Sequence, residues 1–199
     1  HNKFSIKNIH TTMENILKSE SEIYSTLKSF FNQSEEVYEL GVKIKNTLDL
    51  NKKILICGNG GSATQATHFA SELVGRYQKN RKPYPAISLN TDNSILTCIS
   101  NDYKFEEIFA RQVEALCQKG DFFLGISTSG NSKNVVNAAL EAKSKGAMTA
   151  ALMGKDGGLL KDKVDFGIII NSNSTARIQE MHLIIIHLIC EYIDSFEKD

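Results

Sequence analysis

Three groups of residues have the types and spacing that chemistry needs. His68 and Glu72 stand four apart, so on a helix they share a face and can reach a common proton or ion. Gln179, Glu180, His182 and His187 sit among Ile178, Met181, residues 183–186, Leu188 and Ile189. An imidazole in such apolar company is either a satisfied core residue or a functional one, because its pKa lies near neutrality. Ser127, Thr128, Ser129 and Ser132 crowd four hydroxyls around Gly130. A capped loop would use one or two of them; four at a helix start can surround the oxygens of a phosphate with neutral donors.

A second turn, Gly58-Asn59-Gly60-Gly61-Ser62, also follows an apolar run and opens a helix. Its glycines let a ligand approach the backbone, and the free N–H groups of the following helix attract an anion. Gly58, Gly60 and Ala63 loosely match a dinucleotide fingerprint, but no acidic residue follows about 20 positions on at a strand end. A third loop, residues 153–158, reads as a flexible turn, with Lys155 away from any ligand. Gln179 and His187 are eight apart, about 12 Å along a helix and roughly 80° around it. For both to serve one ion they must stretch fully toward each other, or a second copy of the helix must supply one of them.

These residues need a scaffold, and the pattern of the chain supplies one. Short apolar runs at 54–57, 86–89, 122–126, 147–152 and 166–170 alternate with helical stretches at 62–75, 103–118, 132–145, a single turn at 158–162 and a closing helix over 174–196. That order predicts an α/β fold with a five-stranded parallel sheet flanked by helices. If the first and third strands are neighbours, both turns open on one crevice at the switch point. Residues 1–50 predict an N-terminal helical arm of two helices, broken at 32–34 with Ser34 as N-cap, and serving oligomerisation; residues 51–199 form the α/β domain.

Composition narrows the function classes. Lys plus Arg and Asp plus Glu both number 23, so charge gives no support to nucleic-acid binding. The four cysteines are scattered in apolar stretches, which predicts buried thiols in a reducing compartment, the cytoplasm. No signal-peptide pattern opens the chain, and the most apolar run, 183–189, is too short to span a bilayer. His1 reads as a remnant of a tag or of processing.

Four segments together resemble a known family: Gly58 to Arg76 (GNGGSATQATHFASELVGR), Asn101 to Ala115 (NDYKFEEIFARQVEA), Gly125 to Ser132 (GISTSGNS) and Ala176 to His187 (ARIQEMHLIIIH). The chain is similar over nearly its whole length to the sugar-isomerase (SIS) family, and within it to the phosphoheptose isomerases. The resemblance implies a single SIS domain and a cytoplasmic homotetramer with active sites at subunit interfaces. It further implies conversion of sedoheptulose 7-phosphate, a phosphorylated seven-carbon sugar, to D-glycero-D-manno-heptose 7-phosphate. It assigns phosphate binding to Ser127, Thr128, Ser129 and Ser132, substrate contact to Asn59, Gly60, Ser62, Asp102 and Gln179, and catalysis to Glu72 as base and His187 as acid. Zinc, a cofactor of some members, would be held by His68, Glu72, Gln179 and His187. One position departs from the pattern: the Asp usual three residues before the first histidine is Gln65 here. A carboxylate there can steady a ligating imidazole, so its absence bears on metal affinity more than on catalysis. Rival readings are an isomerase of another sugar phosphate and a non-catalytic phosphosugar- or protein-binding module. The family's non-enzymatic relatives lack the Glu and His at the positions of Glu72 and His187, and this chain keeps both.

Overall fold

Apolar runs too short for helices and buried on both faces pair into one parallel sheet. In the computed structural model, which describes residues 6–197, these are β1 (Ile54–Gly58), β2 (Ala86–Ser88), β3 (Phe122–Ser127), β4 (Met148–Gly154) and β5 (Phe166–Ile170). All pairings are parallel and the order is β2-β1-β3-β4-β5. Each strand lies within two residues of its expected run. His1 lies outside the described residues.

The helices are α1 (Ile6–Phe30), α2 (Ser34–Asp49), α3 (Gly61–Val74), α4 (Asn93–Asp102), α5 (Ala110–Leu116), α6 (Lys133–Ser144) and α7 (Thr175–Asp194). Alternating strand residues divide the core in two. Ile54, Ile56, Phe122, Leu124 and Ile126 pack with α2, α3 and α7, whereas Leu55, Cys57, Phe123, Ala151 and Met153 pack with α4, α5 and α6. Leu40, Ile44 and Leu48 put α2 in the first of these layers. Along α1, by contrast, Ile9, Met13, Ile16, Leu17, Tyr24 and Leu27 are exposed.

Four expectations are corrected. The single helix expected over 103–118 is a 3-10 turn at Phe105–Glu107 followed by the shorter α5. The strand and helix pattern leaves residues 90–102 without an element, but Asp92 is an N-cap whose carboxylate accepts from the backbone N–H of Ser94 and Ile95 and starts α4 there. Ser34 is the first helical residue rather than the cap; the capping position is Gln33, whose Nε2 instead donates to Ile169 O at 3.0 Å. Cys57, Cys117 and Cys190 are buried and free, but Cys98, on the outer side of α4, is exposed.

His182 resolves as a core residue. It is fully buried on α7 and its Nε2 bonds Met153 O at 3.0 Å, while Nδ1 has no partner. Burial pushes its pKa down to about 4, so the folded chain holds it neutral. The unfolded chain, near the ordinary value of 6.5, binds the extra proton. Stability from this group is therefore complete above pH 6.5 and is lost as pH falls toward 4, by an amount on the order of 3 kcal/mol. Denaturant midpoints at pH 7 and pH 5 should differ accordingly, and His182→Gln should flatten that difference; an unchanged slope in the variant would refute the assignment.

Candidate functional site

The glycine turn and the serine turn both lie at the carboxyl edge of the sheet, after strands that are neighbours: Gly58 pairs in register with Ile126. The strand order reverses direction between β1 and β3, so the two turns flank the switch point of the sheet. They are tied across it by a reciprocal amide pair. Asn59 Nδ2 donates to Asn134 Oδ1 at 2.8 Å and Asn134 Nδ2 donates to Asn59 Oδ1 at 2.9 Å. Asn59 therefore directs its side chain to α6 and offers a ligand its backbone. Gly60 is the N-cap of α3 at φ 56, and Ser62 is buried behind it.

In the serine turn the hydroxyls are not consumed by capping. Ser132 occupies the N-cap position of α6 but makes no side-chain cap bond; its Oγ meets Ser127 Oγ at 3.1 Å. Ser129 Oγ accepts from Asn131 N at 3.1 Å, and Thr128 is half-buried beside it. The loop read as a flexible turn is the buttress of this turn. Gly130 sits at φ 65, and a Cβ there would lie 1.9 Å from Gly157 O. Leu160 N donates to Gly130 O at 2.9 Å and Leu159 N to Asn131 Oδ1 at 3.0 Å. Lys155 itself is exposed.

The other cluster forms between helices. His68 Nε2 lies 3.1 Å from His187 Nε2 and 3.4 Å from Glu72 Oε1, bringing together residues 119 apart in sequence. At this separation one ring holds the N–H and the other the lone pair. The side chains of His68 and Glu72 are 40% and 19% exposed, half-open to solvent rather than turned into the core. The Tyr77 ring lies 5.7 Å from that of His187.

The two clusters stand at opposite ends of α3. The helix leaves the carboxyl edge of the sheet at Gly61 and runs back; near its far end Leu73 O accepts from Tyr84 N, just ahead of β2. Eleven residues of rise carry Glu72 about 16 Å from Gly61. Helix α7 runs alongside in the same direction. Gln179 lies against Gly61, whose added Cβ would meet the Gln179 amide at 2.6 Å, while His187 faces His68. So Gln179 does not join His68, Glu72 and His187 within one chain. Gln65 Nε2 donates to Gln179 O at 2.6 Å and so joins the helices rather than supporting His68. Asp102, exposed at the end of α4, bonds Asn101 and Cys98 and belongs to neither cluster.

Two imidazole nitrogens and a carboxylate oxygen at contact distance are a donor set that suits zinc in kind. Among the described residues, however, no group of three or more His, Cys, Asp or Glu is arranged to hold a metal ion in one chain.

A family model for the SIS domain matches residues 20–154. The chain belongs to the SIS-domain family. The phosphoheptose isomerase of a Nitratiruptor species is 51% identical over 180 residues, spanning 88% of this chain and 96% of that protein. Two solved phosphoheptose isomerases superpose closely. The one from Neisseria gonorrhoeae has a TM-score of 0.88 at 38% identity, covering 92% of this chain and 99% of that one. The one from Francisella tularensis has a TM-score of 0.89 at 33% identity, covering 92% and 98%. Within this SIS chain, sequence reasoning missed Asn134 and Tyr77. A buried amide two residues into a helix is a signal for the first; nothing local marks the second. No helix among the described residues is long and apolar enough to cross a membrane.

Proposed function

We infer that the chain is an aldose–ketose isomerase that converts sedoheptulose 7-phosphate to D-glycero-D-manno-heptose 7-phosphate. The observation that carries this is the meeting of His68, Glu72 and His187 at 3.1 and 3.4 Å, in a chain that also gathers serine hydroxyls not spent on capping α6 at a sheet switch point. Its identity to phosphoheptose isomerases supports the same reading.

The serine turn holds the phosphate through Ser127, Thr128, Ser129 and Ser132. The glycine turn, at Asn59, Gly60 and Ser62, borders the sugar, with Gln179 beside it. Binding at the phosphate end orients the reacting end. Glu72 removes the proton from C1 of the open-chain ketose, giving a cis-enediol, and returns it to C2. His187 protonates the oxygen developing at C2 and, left neutral, takes back the proton of the C1 hydroxyl as the new carbonyl forms. Zinc would be held by His68, Glu72, Gln179 and His187 only between assembled copies, since no three such ligands are arranged for it in one chain among the described residues, and would polarise the substrate carbonyl when bound. Gln179 completes that set only from a second copy of α7.

The active site is accordingly composite: the turns of one copy face the His68–Glu72–His187 cluster of another. The spacing of the two clusters along α3 supports this, because the crevice lies beyond the carboxyl edge and Glu72 is about 16 Å along the helix from Gly61. The apolar face of α1 supports assembly as well, since contiguous exposed Ile, Leu, Met and Tyr mark a contact surface. We assign a homotetramer in the cytoplasm, where the free thiols stay reduced.

Incubation with sedoheptulose 7-phosphate should yield aldose, and a chelator should slow the reaction if zinc serves it; no product with or without chelator would refute the function. The composite site has its own test. Glu72→Gln and Ser129→Ala chains, each impaired alone, should regain activity when unfolded and reassembled together, because mixed assemblies contain some intact sites. No recovery on mixing would place both halves of the site in one chain.

A further inference from the structure

The C-terminal ends of α3 and α7 are joined by one buried guanidinium. The last carbonyls of a helix have no partner inside it. At the end of α3, two of them are taken by Arg81: Nη2 donates to Glu72 O at 2.7 Å and Nη1 to Leu73 O at 2.9 Å. A third bond, from Nε, reaches Asp194 Oδ1 at 2.9 Å, on the last turn of α7. The pair is sealed from water, with side-chain exposures of 1% and 5%. Asp194 Oδ2 also accepts from the backbone N–H of Gln78 and Lys79, both at 2.9 Å. Tyr77, whose hydroxyl donates to Glu191 Oε1 at 3.3 Å, adds a link one turn earlier on α7.

This arrangement does more than neutralise a buried charge. A lone positive group would satisfy Asp194, whereas a planar fork with several fixed donors can hold two carbonyls and a carboxylate at once. One of those carbonyls belongs to Glu72, only two residues from the end of α3, where helices fray. The other anchor is seven residues beyond His187 on the same helix. We propose that Arg81, braced by Asp194, is a positioning residue for the reaction: it holds the last turn of α3 against α7 and so keeps Glu72 in register with His68 and His187. This rests on the isomerase reading above, and Arg81 itself touches no reacting atom.

The test is Arg81→Lys, which keeps a cation beside Asp194 but cannot span all three acceptors. We expect kcat to fall by about tenfold or more with KM and inhibition by inorganic phosphate changed by less than about twofold. Amide hydrogen exchange at Glu72, Leu73 and Val74 should accelerate while exchange in β3 stays slow. A kcat within about twofold of wild type, or unchanged exchange in that turn, would overturn the proposal. Should the lysine variant fail to fold, Asp194→Asn, whose single amide oxygen can accept from Arg81 or from the backbone N–H groups of Gln78 and Lys79 but not from both, must lower kcat and loosen the same turn; if it does neither, the proposal fails. A wild-type chain that turns over no sugar phosphate would overturn the isomerase reading instead, and exchange alone would then decide whether Arg81 holds the end of α3.

Discussion

Glu72→Gln is expected to lower kcat by about 10³-fold while leaving sugar-phosphate binding nearly intact. The substitution keeps the shape of the side chain and its place one turn from His68 but removes the oxygen we propose as the base. General acid–base groups contribute roughly 10²–10⁴ in rate, and loss of a group that acts only as the proton moves appears in kcat rather than in KM. Binding measured by calorimetry should stay within a few-fold, because the phosphate hydroxyls lie elsewhere. A Glu72→Gln enzyme that turns over at a tenth of the wild-type rate or better would remove Glu72 as the base. Loss of binding together with turnover would instead mean that the carboxylate organises the site.

The second large effect is expected at Gly130. Its φ of 65 lies in the left-handed region, which costs a side chain roughly 1–2 kcal/mol. The added methyl of Gly130→Ala would also sit 1.9 Å from Gly157 O, a backbone atom that cannot swing aside. The serine turn and the 154–158 loop must separate, which breaks the Leu160 N to Gly130 O bond. We expect a loss of about 3 kcal/mol or more, lowering Tm by roughly 6–12 °C. KM for the sugar phosphate should rise by tenfold or more, on the order of 1.4 kcal/mol, because the hydroxyls no longer converge. The two effects separate cleanly: Tm falling without a change in KM would show that the turn can shift without losing its ligand, and would weaken the phosphate assignment to these serines.

Much of this molecule is legible locally. Each strand is a compact apolar run, each of the two turns is a cluster of unusual composition directly after one, and His68 and Glu72 are four apart on one helix; all of these are short-range patterns. Even the excess of hydroxyls over what capping needs is visible in residues 127–132, and Ser132 duly makes no capping bond. Where local patterns mislead, a side chain has chosen a partner the pattern does not show: Asp92 caps a helix in a stretch where the pattern places no element, and Gln33 turns from the start of α2 to Ile169.

Residue types and spacing by themselves pointed to a phosphate-bearing ligand, the sheet and the His68–Glu72 pair, while the family resemblance supplied the catalytic roles. Only the tertiary structure decided which of the polar residues on α7 meet that pair. His182 and His187 look alike in sequence, yet one is sealed in the core against Met153 and the other faces His68. Gln179 and His187 share a helix but meet α3 about two turns apart, one at the glycine turn and one beside His68. The reason is geometric. A helix that follows a strand must run back along the sheet, so every residue of rise carries its side chains away from the turn that launched it, and no local pattern records how far.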